Sequence, residues 1–139
     1  MMEEKINAIW ITGASTGIGK ALAIEFARNG EFVIATARRK NLIDSYKKEL
    51  EINTDNILPI ELDITDIEAV QKFYKKYSAD YFFNTLINNA GKTSFNPAEK
   101  DNLKEIKDII DSNLTASITT IKTVLPEMMN RNTGNIINI

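Results

Sequence analysis

The chain contains no cysteine and no histidine. Disulfides, thiolate nucleophiles, imidazole bases and nearly every zinc or haem site are thereby excluded. An excess of one charge sign is missing too: 17 Lys and Arg stand against 19 Asp and Glu, a net charge of −2. Without a broad basic surface, generic binding to nucleic acid or to an anionic membrane is not expected. No segment approaches the roughly 18 consecutive apolar residues of a membrane-spanning helix. The start, Met1-Met2-Glu3-Glu4-Lys5, lacks the basic stretch and cleavage site of a secretory signal. A cytoplasmic location is therefore expected, and the lack of cysteine permits it. Repeats, low-complexity tracts and linkers are also absent. Chemistry is left to Ser, Thr, Tyr, Lys, Asp, Glu, Asn or a bound cofactor.

What is present is an ordinary globular composition, with 43% hydrophobic and 26% charged residues over 139 positions. That length suits a single domain spanning residues 1–139. Short apolar runs alternate with amphipathic stretches. Strands are predicted over residues 6–11, 32–37, 57–62, 82–88 and 135–139. Pro59 marks the third of these as an edge. A helix over 18–29 carries Ile18, Leu22 and Phe26 on one stripe and ends at Gly30. A charged helix over 41–52 is expected to turn Leu42, Tyr46 and Leu50 inward. Thr65-Asp66-Ile67-Glu68 reads as a capping box, opening a helix with Ile67, Val70, Tyr74 and Tyr77 on one face. Leu103, Ile106, Ile110, Leu114, Ile118, Ile121, Leu125 and Met128 keep helical spacing along one long helix or a bent pair. This alternation predicts right-handed βαβ units, hence an α/β, doubly wound (Rossmann-type) parallel sheet. The chain stops at Ile139, in a strand that would be a bare edge, so a truncation after the fifth strand is expected.

Thr12-Gly13-Ala14-Ser15-Thr16-Gly17-Ile18-Gly19 lies at the junction of the first strand and the first helix, where a dinucleotide fingerprint belongs. Gly13 permits a tight turn, Gly17 a close approach of backbone to a diphosphate, and Gly19 close packing of helix on strand. The helix N-terminus offers free N–H groups and a partial positive charge to the anion. The alternative is a glycine-rich turn without a ligand. An NAD-type site wants a carboxylate about 20 positions further on. That place holds Arg38 and Arg39, two guanidinium groups suited to a 2′-phosphate. NADP is therefore the expected cofactor, against the alternative of a solvated basic pair. Asp63 is a candidate partner for the adenine amino group or a helix N-terminal carboxylate beside Thr65. Asn88-Asn89-Ala90-Gly91 could line the cofactor or lock the sheet.

These motifs, followed by Asn113, resemble the short-chain dehydrogenase/reductase family in order and spacing along the whole chain. Residues 33–39 and 124–139 look most like its NADP-dependent 3-hydroxy acid (serine-type) dehydrogenase branch. The resemblance implies a sheet order of 3-2-1-4-5 and an NADP(H)-dependent oxidoreductase acting on an alcohol or carbonyl. It implies that Gly13, Ser15, Thr16 and Ile18 meet the diphosphate and ribose, and Arg38 and Arg39 the 2′-phosphate. It places Asp63 and Ile64 at adenine, and Asn89, Ala90 and Gly91 along the cofactor. Asn113 matches the family's catalytic asparagine, which bends a helix and holds a water of the proton relay. The bare residue reading makes Asn113 a polar interruption between two helices.

The family's Ser and Tyr-x-x-x-Lys would follow the fifth strand and are not among these residues. Tyr46, Tyr74, Tyr77 and Tyr81 are not followed by Lys at i+4. The expectation is that the 139 residues alone are inactive. A non-catalytic dinucleotide-binding module and a decayed or split gene product are the alternatives. Homo-oligomers, formed through the helix near residues 113–131, are a further implication of the family.

Overall fold

The computed structural model describes residues 4–50 and 54–139. Five strands form one parallel sheet: β1 (Ile6–Thr12), β2 (Phe32–Ala37), β3 (Ile57–Glu61), β4 (Tyr81–Asn88) and β5 (Asn135–Asn138). Their order is β3-β2-β1-β4-β5, as the sequence pattern and the family resemblance together implied. Five α-helices connect them: α1 (Gly17–Arg28), α2 (Lys40–Glu49), α3 (Ile67–Tyr77), α4 (Leu103–Ile110) and α5 (Ala116–Asn130). A single π-helical turn, Asp111–Thr115, joins α4 to α5. The bent pair is therefore the correct form of the long C-terminal periodicity. The predicted second helix extended to Ile52, which lies outside the described residues.

Both faces of the central strands β2, β1 and β4 are covered, which is why these read as apolar runs, whereas β5 is largely exposed. One face, with Ile9, Ile11, Val33, Ala35 and Ile87, packs on Ala23 and Ala27 of α1 and on Ile43 and Tyr46 of α2. The other, with Ala8, Trp10, Ile34 and Leu86, packs on α3 and α5 through Val70, Phe73, Ala116, Val124 and Met128. Trp10 lies between Phe73 and Phe83, with ring centroids at 4.9 and 5.6 Å, and its indole N–H donates to Thr36 Oγ1 at 2.9 Å. Pro59 does sit on an edge strand, in register with Ala35.

Two sequence expectations are corrected. Asp66, not Thr65, caps α3: its carboxylate accepts from the Ala69 N–H, while Thr65 turns back to Asp63. The capping box of this chain belongs to α4, between Asn102 and Glu105. In α2, Ile43 joins Tyr46 inside while Leu42 is only half-buried. The apolar stripe from Leu103 to Leu125 mostly faces outward, with Leu103 84% and Leu114 57% exposed. The face of α5 that meets the sheet is Ala116, Thr120, Val124 and Met128. Periodicity identifies an apolar face but not what covers it. Smaller residues bring α5 close to β4 while larger ones remain outside.

Candidate functional site

The carboxyl ends of β1, β2 and β4 converge with the N-termini of α1 and α2, where an open parallel sheet binds its ligands. β1 ends in Thr12, which is fully buried and serves as a hub. Its hydroxyl oxygen accepts from the N–H groups of Asn89 and Ala90, each at 3.0 Å. The Asn89 amide donates to the carbonyls of Thr12 and Gly13, both at 3.1 Å. The lock reading of this motif is thus realised in the structure. Asn88 is locked as well: it donates to Asn138 Oδ1 at 2.9 Å and accepts from Thr120 Oγ1 at 2.6 Å.

The chain leaves β1 through Gly13, at φ +65°, and enters α1 through Gly17, at φ +57°. These left-handed conformations favour glycine. A Cβ on Gly13 would stand 2.7 Å from Ala90 Cα; one on Gly19 would stand 2.4 Å from Asn89 Nδ2 and 2.5 Å from Gly13 O. At Gly17 nothing lies within 4 Å, so the backbone is open there. No side chain caps the first turn of α1 or α2, and neither turn carries an acid. Both helix N-termini therefore present uncompensated positive ends.

A cleft of about 310 Å³ collects most of the predicted residues: Gly13, Ser15, Thr16, Ile18, Arg38, Arg39, Asp63, Ile64, Asn89, Ala90 and Gly91. Gly17 and Gly19 belong to the loop's backbone rather than to the cleft lining. Ile18 is 58% exposed, an apolar side chain facing this opening instead of the core. The side chains of Arg38 and Arg39 are exposed and have no hydrogen-bond or ion-pair partner among the described residues. Asp63 is bound to Thr65 ahead of α3, whose cap is Asp66. Asp63 lines the cleft, and its Oδ1 accepts from the Thr65 N–H at 2.9 Å and the Thr65 hydroxyl at 2.7 Å. Sequence reasoning missed Ala37, Leu62, Thr65, Lys92 and Ser112 in the lining. Adjacency to Arg38, Asp63, Gly91 and Asn113 was the available signal.

A second opening of about 670 Å³ shares Asn89, Ala90, Gly91 and Lys92 with the first and adds Asn113, Ser117, Ile121 and Asn138. Asn113 sits in the π-turn and holds the backbone of one residue through both of its polar groups. Its Oδ1 accepts from the Lys92 N–H at 2.7 Å and its Nδ2 donates to the Lys92 carbonyl at 2.8 Å. The Lys92 ammonium lies 3.5 Å from Asp108. Hydrogen bonding from Lys104, together with the charges of Lys104 and Lys92, outweighs desolvation and holds the Asp108 carboxyl below its usual range. The two openings lie on either side of this shared wall, and the first suits a ligand that is anionic at the arginine end. No cluster able to hold a metal ion occurs among the described residues, and no helix among them is long and apolar enough to cross a membrane.

The family model for short chain dehydrogenases matches residues 7–139. The chain belongs to the short-chain dehydrogenase family. Within that family it is 35% identical over 133 residues to the NADP-dependent 3-hydroxy acid dehydrogenase YdfG of Salmonella typhi, covering 94% of this chain and 52% of that protein. Serine dehydrogenase from Escherichia coli superposes with a TM-score of 0.84 at 32% identity, over 94% of this chain and 60% of that one. A metagenomic short-chain oxidoreductase solved in complex with NADP gives 0.85 at 27% identity, over 95% and 61%. This short-chain dehydrogenase chain spans about half the length of the curated relatives it matches.

Proposed function

We propose that residues 1–139 form the NADP(H)-binding domain of an oxidoreductase that moves a hydride between nicotinamide and an alcohol or carbonyl substrate. The observation that carries this reading is one cleft that joins an uncapped, acid-free α1 N-terminus to two unpaired guanidinium groups. Bound there, NADP would supply the hydride donor or acceptor. The loop from Gly13 to Gly19 holds the diphosphate by its backbone N–H groups. Ser15 and Thr16 add hydroxyls, and Ile18 covers the ligand with apolar surface. Arg38 and Arg39 grip the 2′-phosphate. Asp63 and Ile64 border adenine, while Asn89, Ala90 and Gly91 form the wall leading to the second opening. The relatives' names, NADP-dependent 3-hydroxy acid dehydrogenase and an NADP complex, support the same cofactor.

Asn113 acts at the second opening, where the substrate lies. Both arms of its amide are taken by the Lys92 N–H and carbonyl, so the main chain of the π-turn is left to hold a water of the proton relay. Residues 1–139 hold no Ser and Tyr-x-x-x-Lys set after β5. Taken alone, they bind the cofactor without turning over substrate. A non-catalytic dinucleotide-binding module is the alternative, and it shares every cofactor contact.

Equilibrium titration with NADP⁺ and NAD⁺ is the test. Charge-assisted hydrogen bonds contribute about 1.5–3 kcal/mol. Arg38→Glu with Arg39→Glu is therefore expected to weaken NADP⁺ by at least about tenfold and leave NAD⁺ within about twofold. Equal loss of both cofactors, or binding of neither by the wild type, would contradict the reading.

A further inference from the structure

Tyr46 is the one tyrosine on the sheet face that α1 and α2 cover, and it is only 2% exposed. It belongs to the cluster that holds Ile43 and the apolar residues of β2, and its hydroxyl donates to the Ala14 carbonyl at 3.0 Å. Ala14 is the second residue of the glycine loop. Its N–H is taken as well, by the Thr36 carbonyl of β2 at 3.1 Å. Both polar groups of one loop residue are thus tied to the β2–α2 unit, whose connection carries Arg38 and Arg39. The Lys20 ammonium, in the first turns of α1, stands 5.2 Å above the Tyr46 ring centroid. The ring therefore touches α1 as well as the loop that leads into it. Burial raises the Tyr46 phenol far above its ordinary value, so the donor proton stays in place at any physiological pH.

We infer that Tyr46 is a positioning residue, fixing the Ala14 peptide so that the loop's backbone N–H groups and the arginine pair stand in register for the two phosphate groups of one ligand. This rests on the proposed cofactor site. Tyr46 touches no ligand itself. A free loop would sample orientations in which the amides of residues 15–19 diverge. Ordering it would then cost part of the binding free energy. The hydrogen bond from Tyr46 supplies that order in advance from an element whose first turn borders the 2′-phosphate end.

Three ligands separate this role from packing. NADP⁺ engages both the diphosphate loop and the arginines, NAD⁺ the loop without the arginines, and 2′-AMP the arginines without the diphosphate loop. In the full-length protein, Tyr46→Phe keeps the ring and removes one hydrogen bond. We expect NADP⁺ and NAD⁺ to weaken by a common factor of about fivefold, the scale of one net hydrogen bond, with 2′-AMP unchanged. Ile43→Val trims the same cluster without touching the loop; it should lower the melting temperature and leave all three affinities alone. Unchanged NADP⁺ affinity in Tyr46→Phe overturns the inference, as does equal weakening of 2′-AMP. Failure of the wild type to bind either dinucleotide overturns the cofactor reading instead.

Discussion

Gly19 is where a single missing carbon matters most. A methyl group there meets the Asn89 amide at 2.4 Å and the Gly13 carbonyl at 2.5 Å, and neither is free to move, because the Asn89 amide donates to the carbonyls of both Gly13 and Thr12. Overpacking at such a contact costs about 1–3 kcal/mol. Gly19→Ala should therefore lower the melting temperature of the ligand-free protein and weaken dinucleotide binding. Calorimetry showing an unchanged transition would mean that the loop is looser than described. The glycines were legible in the sequence because their spacing directly reflects backbone conformation and close approach. The arginine pair was legible through its distance from the loop. The hydroxyls of Thr12 and Tyr46 were not. A buried stripe position says that a side chain points inward, and nothing about where its terminal oxygen lands.

Among the elements, α5 shows how far periodicity reaches. Its helical character, and the break before it, could be read from the spacing from Leu103 to Met128. Which face met the sheet could not, because small residues at Ala116 and Thr120 make the close contact. The far end of α5 is fastened by charge. Glu127 accepts from Lys5 at 2.6 Å and from the Tyr74 hydroxyl at 3.0 Å, and Arg131 lies 3.2 Å away, its guanidinium 4.2 Å from the Phe82 ring centroid. Burial opposes ionisation of Glu127, but the hydrogen bonds and charges of these partners prevail and hold its carboxyl below 4.5. Burial, with the bond to Glu127, pushes the Tyr74 phenol up to about 12. Because the folded Glu127 value is depressed, the unfolded chain binds the proton more readily. The stabilisation is present above about pH 4.5 and is lost as pH falls through the folded value. Glu127→Gln should destabilise by about 1–3 kcal/mol at neutral pH. The gap from wild type should narrow on acidification, as read by denaturant unfolding at several pH values. A gap independent of pH would contradict the assignment.

The whole molecule divides into a part that composition and pattern determine and a part that needs coordinates. Alternating runs implied the doubly wound class, Pro59 implied the edge, and the glycine loop with Arg38 and Arg39 implied the binding end of the sheet. That two openings share the wall from Asn89 to Lys92 could not be read, since Lys92 is held there by Asn113 of the π-turn. The central claim is that one dinucleotide lies along this end with its diphosphate on the α1 amides and an additional phosphate at the arginines. Amide ¹H–¹⁵N shifts, followed as NADP⁺ is added to labelled protein, test it most directly. The largest changes are expected at residues 15–19 and 38–40, with NAD⁺ reproducing the first group and not the second. Changes confined to other surfaces, or none at saturating cofactor, would contradict it.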